Sequence, residues 1–174
     1  MMNISSESVT ATSESVPRTA ESVTVPGLTA TELCLPSHLR SRLVCLVEAA
    51  YPFEACGVMV GLADPRQVSV TDVFHARNLN VERARDRFLL DPDDYMAADR
   101  AARERGLDIV GIWHSHPDHP ARPSITDLEA AWEGYSYLII STSAAGSNVF
   151  RSWRLHDGRF QEEKVRDFST EAES

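Results

Sequence analysis

The chain has 174 residues, 43% of them hydrophobic, and a formal net charge of −9 at pH 7. These values suit one globular domain and exclude a nucleic-acid-binding protein built on a basic stripe. No apolar run approaches the ~20 residues that a membrane-spanning helix needs, and the first residues lack the features of a secretory signal. Three separated cysteines without a CxxC pair indicate reduced thiols in the core of a cytoplasmic protein.

The composition changes near both ends of the chain. Residues 1–28 are rich in Ser, Thr and Glu, and the triplet Glu-Ser-Val recurs there three times. Without a large apolar cluster this segment cannot bury enough surface to fold, so we predict a disordered tail. Residues 29–166 form the predicted domain, and residues 167–174 form a predicted frayed, acidic C-terminus.

The domain alternates between strand and helix patterns. Leu39 and Leu43 recur at helical spacing, Asp91 followed by Pro92 marks a second helix start, and Ser124 opens a capping box that starts a third. In chain order the predicted elements are a strand at 31–36, a helix at 37–50, strands at 55–62 and 67–78, a helix at 91–106, a strand at 108–115, a helix at 124–134, and strands at 135–142, 148–155 and 159–166. We therefore predict an α/β (α+β) fold with a mixed β-sheet of about seven strands flanked by three helices.

The candidate chemistry lies where the strand at 108–115 ends, in the sequence GIWHSHPDHPARPSITD. His114 and His116 are two residues apart, so on an extended strand their side chains point to the same side and can bind one ion. The proline-rich loop 117–123 can return Asp127 to the strand end as a third ligand. Three protein ligands with an open fourth position are typical of catalytic zinc.

This pattern, His-x-His-Pro followed after six residues by Ser-x-x-Asp, closely resembles the motif of the JAMM (JAB1/MPN/Mov34) metalloprotease family. The resemblance rests on Glu54, His114, His116, Ser124 and Asp127. It implies a cytidine-deaminase-like JAMM/MPN architecture and one zinc ion per chain, held by His114, His116 and Asp127. It also implies that Glu54 activates the zinc-bound water as general base and that Ser124 hydrogen-bonds the developing oxyanion.

A second pattern overlaps the first. The letters His-x-His-x-Asp-His are matched by His114, His116, Asp118 and His119, and they resemble the dinuclear zinc motif of the metallo-β-lactamase superfamily. That fold needs further ligands downstream, whereas the only later histidine is His156. A non-catalytic scaffold of the MPN type is the third interpretation, although such a protein is expected to have lost one or more of the motif residues.

Two of the candidate residues also allow a different role. Ser124 occupies the N-cap position of a predicted helix, so its hydroxyl can serve the helix backbone instead of a substrate. Cys56 follows Glu54 closely, and a catalytic thiol would need a neighbouring base. Because the nearby histidines are better explained as metal ligands, we interpret Cys56 as a small buried residue.

The resemblance is to short stand-alone bacterial members of the JAMM family. It implies a hydrolase that cleaves after the C-terminal Gly-Gly of a ubiquitin-like sulfur-carrier protein, either releasing cysteine in cysteine biosynthesis or trimming C-terminal residues. A Gly-Gly tail has no side chains, so it can lie extended along a sheet edge. The expected partner is therefore such a carrier protein, without nucleic acid or membrane, and the sequence leaves a homodimer open.

Overall fold

The computed structural model describes residues 32–168. They contain seven strands and three helices, the numbers that the sequence predicted. In chain order they are β1 (Glu32–Pro36), α1 (Ser37–Ala50), β2 (Cys56–Ala63), β3 (Gln67–Ala76), α2 (Pro92–Arg103), β4 (Asp108–Pro117), α3 (Ile125–Ala130), β5 (Ser136–Thr142), β6 (Val149–His156) and β7 (Arg159–Phe168).

The sheet is mixed, as predicted, but it closes into a barrel, which the sequence analysis did not predict. The strand order is β1-β3-β2-β4-β5-β6-β7. Strand β1 joins the two ends of the sheet because it pairs in parallel with β3 on one side and with β7 on the other. Leu33, for example, lies opposite Val68 and Val165. The likeness to cytidine deaminases stays a prediction.

Two elements differ in length from their predictions. Helix α3 ends at Ala130 because Ala131 already has an extended backbone, and Gly134 follows with a φ of 93°. Strand β4 continues to Pro117, two residues beyond its predicted end, because its parallel pairing with β5 continues to Thr142.

The predicted domain boundaries stay predictions. The predicted tail, residues 1–28, lies outside the described residues. Strand β7 includes residues 167 and 168, and the rest of the predicted C-terminus lies outside the described residues as well.

Helices α1 and α2 cover separate parts of the barrel. Helix α1 buries Leu39, Leu43 and Val47 in a core cluster that also contains Trp113. Helix α2 buries small residues, including Ala98, against a second cluster on β2 and β4. Its start is the predicted one, because the Asp91 side chain accepts a hydrogen bond from the backbone N–H of Asp93. Neither these helices nor α3 is long and apolar enough to cross a membrane.

The cysteines are free, as expected, but they are not all in the core. Cys34 and Cys56 are buried, whereas Cys45 is exposed on α1. The prediction of core thiols is therefore wrong for Cys45, because helical periodicity turns this position of α1 toward solvent.

Gly57 in β2 fits where no side chain could. A Cβ atom added there would lie 1.9 Å from the Phe74 carbonyl oxygen and 2.6 Å from Trp113 Nε1. The indole N–H of Trp113 donates to that same carbonyl at 3.1 Å, so a methyl group would break this contact and push the backbone of two strands apart.

We expect Gly57→Ala to lower the free energy of unfolding by about 3 kcal/mol or more, because backbone atoms must move to admit the methyl group. Urea unfolding measures this loss. Gly106→Ala is the control, because nothing lies within 4 Å of the added Cβ and only the φ of 68° opposes it, at about 1 kcal/mol. Equal losses in the two variants would contradict the explanation by crowding.

Candidate metal and catalytic site

The histidine pair lies at the end of β4 as predicted. Strand alternation places the two rings on the same side, with 4.8 Å between their centroids. Both are buried, and the Nε2 atoms of His114 and His116 lie 3.0 Å apart. Two nitrogen atoms with lone pairs at this separation can bind one ion together.

The loop after β4 orients His116. Its Nδ1 lies 2.9 Å from the Pro120 carbonyl oxygen, and only an N–H can donate to that acceptor. This tautomer leaves the Nε2 lone pair free for a metal. Asp118 bends the loop with a φ of 59° and donates its backbone N–H to the Thr142 carbonyl at 2.8 Å.

The capping box of α3 orients Asp127. The backbone N–H of Ser124 donates to Asp127 Oδ2 at 2.6 Å, and the Asp127 N–H donates to Ser124 Oγ at 3.2 Å. The carboxylate oxygens then lie 3.4 Å from His114 Nε2 and 3.7 Å from His116 Nε2. The same two residues therefore start the helix and aim a carboxylate at the histidines.

The electrostatics favour the metal-binding forms of His114 and Asp127. Burial would lower the pKa of His116, but contacts with Asp127, the Pro120 carbonyl and Glu54 outweigh it and raise this pKa. Burial lowers the pKa of His114 to about 4, so this ring is neutral at pH 7. Burial alone would raise the pKa of Asp127, but contacts with His116, His114 and Ser124 outweigh it and lower the pKa. A neutral imidazole and an ionised carboxylate are the ligand forms that a divalent cation requires.

The set of donor atoms fits a zinc ion. His114, His116 and Asp127 each offer one ligand atom, and these atoms lie within 4.8 Å of one another. Two nitrogens and one oxygen form the kind of three-ligand set that leaves a position open. The Nδ1 atom of His114 has no hydrogen-bond partner among the described residues, and the Phe88 ring stacks on this histidine at 4.5 Å.

Glu54 is fixed beside the histidines by backbone hydrogen bonds on both of its sides. Ala55, the next residue, donates its N–H to Ser115 Oγ at 2.8 Å and accepts from the Ser115 N–H at 2.9 Å. The N–H of Glu54 itself donates to the Ala84 carbonyl at 2.6 Å. Because Ser115 lies between the two histidines, this pairing brings Glu54 to the same end of β4.

Glu54 lines the same cleft as His116 and Asp127, but it does not belong to the group of three candidate ligands. Burial raises the pKa of Glu54 to about 7; the Asp127 carboxylate adds to this rise, while the His116 ring opposes it. A carboxyl group that is not a ligand and titrates near neutral pH is suited to accept and return a proton.

The cleft has a volume of about 760 Å³. Its lining comes mainly from two segments, which form its walls, residues 86–96 and residues 119–132, and it includes Ile112 and Tyr137. The surface of the cleft is mostly apolar, and its lining includes the exposed Trp132.

Asn78 organises one wall of the cleft, and the sequence analysis did not identify it. Its Nδ2 donates to the carbonyls of Glu54 at 3.2 Å and Arg87 at 3.1 Å. Its Oδ1 accepts from the N–H groups of Asn80 and Leu89, both at 3.0 Å. Its position as a polar residue two places after the end of β3 could have marked it as a candidate. The sequence does not show which groups its amide bonds.

The His-x-His-x-Asp-His interpretation does not match the geometry. Among residues 32–168, neither Asp118 nor His119 belongs to a group of candidate ligands. The Asp118 carboxylate instead accepts a hydrogen bond from the Tyr51 hydroxyl at 2.8 Å, and His119 is an exposed residue of the cleft wall.

Cys56 is buried, as predicted. Its Sγ contacts the carbonyl oxygens of Ala76 and Arg77 at 3.8 and 3.9 Å. Burial raises the pKa of its thiol to about 12, and the negative charge of Glu54 contributes. A thiol with this pKa stays protonated near pH 7, which argues against a nucleophilic role.

Residues 36–156 match the family model described as prokaryotic homologs of the JAB domain. The chain is 42% identical over 91 residues to a desampylase of Haloferax volcanii, a match that covers 52% of this chain and 63% of that protein. It is 31% identical over 134 residues to a CysO-cysteine peptidase of Mycobacterium bovis, covering 76% of this chain and 89% of that protein.

A solved structure has the same overall arrangement. It is the solution structure of a protein from Desulfitobacterium hafniense, with a TM-score of 0.71 and 30% sequence identity. The similarity covers 79% of this chain and 93% of the other.

Asn78→Ala should loosen the segment 79–90, because it removes the amide that ties this segment to Glu54. We expect trypsin to cleave within 79–90 about tenfold faster, since losing these hydrogen bonds makes local opening easier by roughly 1–2 kcal/mol. Asn148→Ala is the matched control, because that amide bonds Glu48 instead, at 2.8 Å. Similar cleavage rates within 79–90 in both variants would refute this role.

Proposed function

The chain belongs to the family of prokaryotic homologs of the JAB domain, also known as JAMM, and on this premise we propose that it is a zinc peptidase or isopeptidase. Its proposed substrate is a ubiquitin-like sulfur-carrier protein, cleaved after the C-terminal Gly-Gly. One observation carries the proposal: the ligand atoms of His114, His116 and Asp127 converge, and the last two of these residues line a cleft with a glutamate that is outside the group. The names of the relatives from Haloferax and Mycobacterium, a desampylase and a CysO-cysteine peptidase, support the substrate class.

In this proposal His114, His116 and Asp127 hold the zinc ion. When bound, the ion would supply Lewis-acid polarisation of the scissile carbonyl and would acidify a water molecule. The hydrogen bonds from His116 to Pro120 and from Ser124 to Asp127 hold two of the ligands in position before the metal arrives. Such preorganisation favours binding because little ordering remains to be done.

Glu54 is the proposed general base. It would take the proton from the attacking water and pass it to the nitrogen of the leaving group, as a carboxyl group with a pKa near 7 can do. Ser124 is proposed to stabilise the oxyanion. Its Oγ accepts from the Asp127 N–H and its side chain also contacts the Asp127 carboxylate, so in this role the hydroxyl would turn from that carboxylate to a substrate oxygen while Oγ still caps the helix.

The segment 86–96 that lines the cleft offers a site for an extended tail. Asn78 and Leu90 form an isolated antiparallel bridge. The bridge hydrogen bonds come from the residues flanking this pair, so the backbone N–H and C=O groups of Leu90 point away from Asn78. They have no backbone partner within the described residues, and a Gly-Gly tail without side chains could pair with them.

The two other interpretations are weaker. A scaffold of the MPN type would not need a complete ligand set together with a buried, separate glutamate. A dinuclear hydrolase would need Asp118 and His119 as ligands, and their contacts lie elsewhere.

The metal assignment predicts that Asp127→Ala loses zinc while Asp118→Ala keeps it. We expect about one zinc ion per parent chain, purified without added metal or chelator, and close to none in Asp127→Ala, because two protein ligands hold zinc poorly. Elemental analysis measures the metal. Two ions per parent chain, with one lost in Asp118→Ala, would instead support the dinuclear interpretation.

The general-base assignment predicts that Glu54→Gln keeps the fold and the zinc but loses turnover by about 10³-fold or more. The assay measures release of a residue placed after the Gly-Gly of a ubiquitin-like protein. Glu48→Gln, a carboxylate on α1 outside the cleft, is the matched control and should keep the parent rate. A near-parent rate in Glu54→Gln would show that another group carries the proton.

A further inference from the structure

Two arginines line the cleft without a close ion pair. Arg87 belongs to the lining segment 86–96 and Arg122 to the lining segment 119–132. Within residues 32–168 neither has a carboxylate oxygen within 4.0 Å, whereas nine other arginines of this region each have one. Among these residues the Arg87 guanidinium makes one hydrogen bond, to the carbonyl of Asp86 at 3.2 Å. At longer range the charge of Arg87 acts on Asp86 and Glu54, and that of Arg122 acts on Glu162, but neither charge is held in a close pair and both can attract an anion.

Arg87 is anchored next to the proposed general base. The amide of Asn78 donates to the Arg87 carbonyl at 3.1 Å and to the Glu54 carbonyl at 3.2 Å. The same side-chain nitrogen therefore bonds the backbones of both residues. If Arg87 moved away, its carbonyl would lose the hydrogen bond to the amide that also holds Glu54. Its charge also lowers the pKa of Glu54 slightly against the larger effect of burial.

Arg122 is anchored next to a proposed zinc ligand in the same manner. The carbonyl of Pro120 accepts from the backbone N–H of Arg122 at 2.8 Å and from His116 Nδ1 at 2.9 Å. The backbones of the two arginines are therefore each tied to the site through one group shared with a residue of the proposed machinery.

We propose that Arg87 and Arg122 bind the free α-carboxylate of the residue that the enzyme releases. The inference rests on the proposed function and specifies its substrate as a carrier with a single residue after Gly-Gly. In that substrate the carboxylate is two bonds from the scissile nitrogen, so it must lie close to the reacting centre. Guanidinium groups recognise carboxylates through paired, charge-assisted hydrogen bonds.

An isopeptide bond to lysine presents different chemistry. Its scissile nitrogen is a side-chain Nζ at the end of an uncharged alkyl chain, so no carboxylate reaches the arginines. In the proposed reaction one water adds across the C–N bond: its oxygen joins the glycine carbonyl carbon, and Glu54 carries a proton to the nitrogen. The products are a carrier ending in Gly-Gly and a free amino acid.

Two labelled peptides that differ in one group test the inference. Both end in Gly-Gly-Ala, one with a free carboxylate and the other with a carboxamide. We expect the zinc-loaded Glu54→Gln chain to bind the carboxylate form about tenfold more tightly. Adding Arg87→Gln or Arg122→Gln should reduce this preference severalfold. Adding Arg42→Gln should leave it intact, because Arg42 pairs with Asp72 outside the cleft and Asp72 keeps Arg105.

The outcomes separate this inference from the proposed function. Equal binding of the two peptides, or no binding of either, overturns the carboxylate site. A preference that survives both arginine substitutions also overturns it. A preference that depends on the arginines supports the inference. The parent chain then tests the proposed function separately. If it binds the peptide without cleaving it, the peptidase function is refuted and the carboxylate site stands.

Discussion

The hydrogen bonds between Ser115 and Ala55 connect the barrel to the site. Both the backbone N–H and the hydroxyl oxygen of Ser115 bond the backbone of Ala55, in the interior of the protein. Ser115 lies between the two histidines of β4, and Ala55 follows Glu54. The pairing of β2 with β4 therefore sets the position of the glutamate relative to the histidines, and any slip in that pairing would separate them.

Single polar groups with two partners give the site its rigidity. The Pro120 carbonyl holds both His116 and Arg122, and the Asn78 amide holds both Glu54 and Arg87. These shared hydrogen bonds fix the backbones that carry the candidate ligand His116 and the proposed general base Glu54. The cleft that these groups border has a mostly apolar surface.

The parts of the site that the sequence predicted are those built by local hydrogen bonds and strand alternation. The same-side placement of His114 and His116 follows from two-residue periodicity alone. The capping box links Ser124 to Asp127 across three residues, and the structure contains both of its hydrogen bonds. The remaining step, from paired histidines to a three-ligand set, relied on family resemblance, because spacing along the chain does not measure distance in space.

The sequence by itself determined the seven strands, the three helices and the start of α3, because each depends on neighbours within a few residues. Only the tertiary structure decided that β1 closes the barrel, that Asn78 joins Glu54 to Arg87, and that two arginines without a close ion pair among the described residues line one cleft. These features depend on contacts between residues far apart in the chain. Such contacts arise when strands pair and loops pack, and no local pattern encodes them.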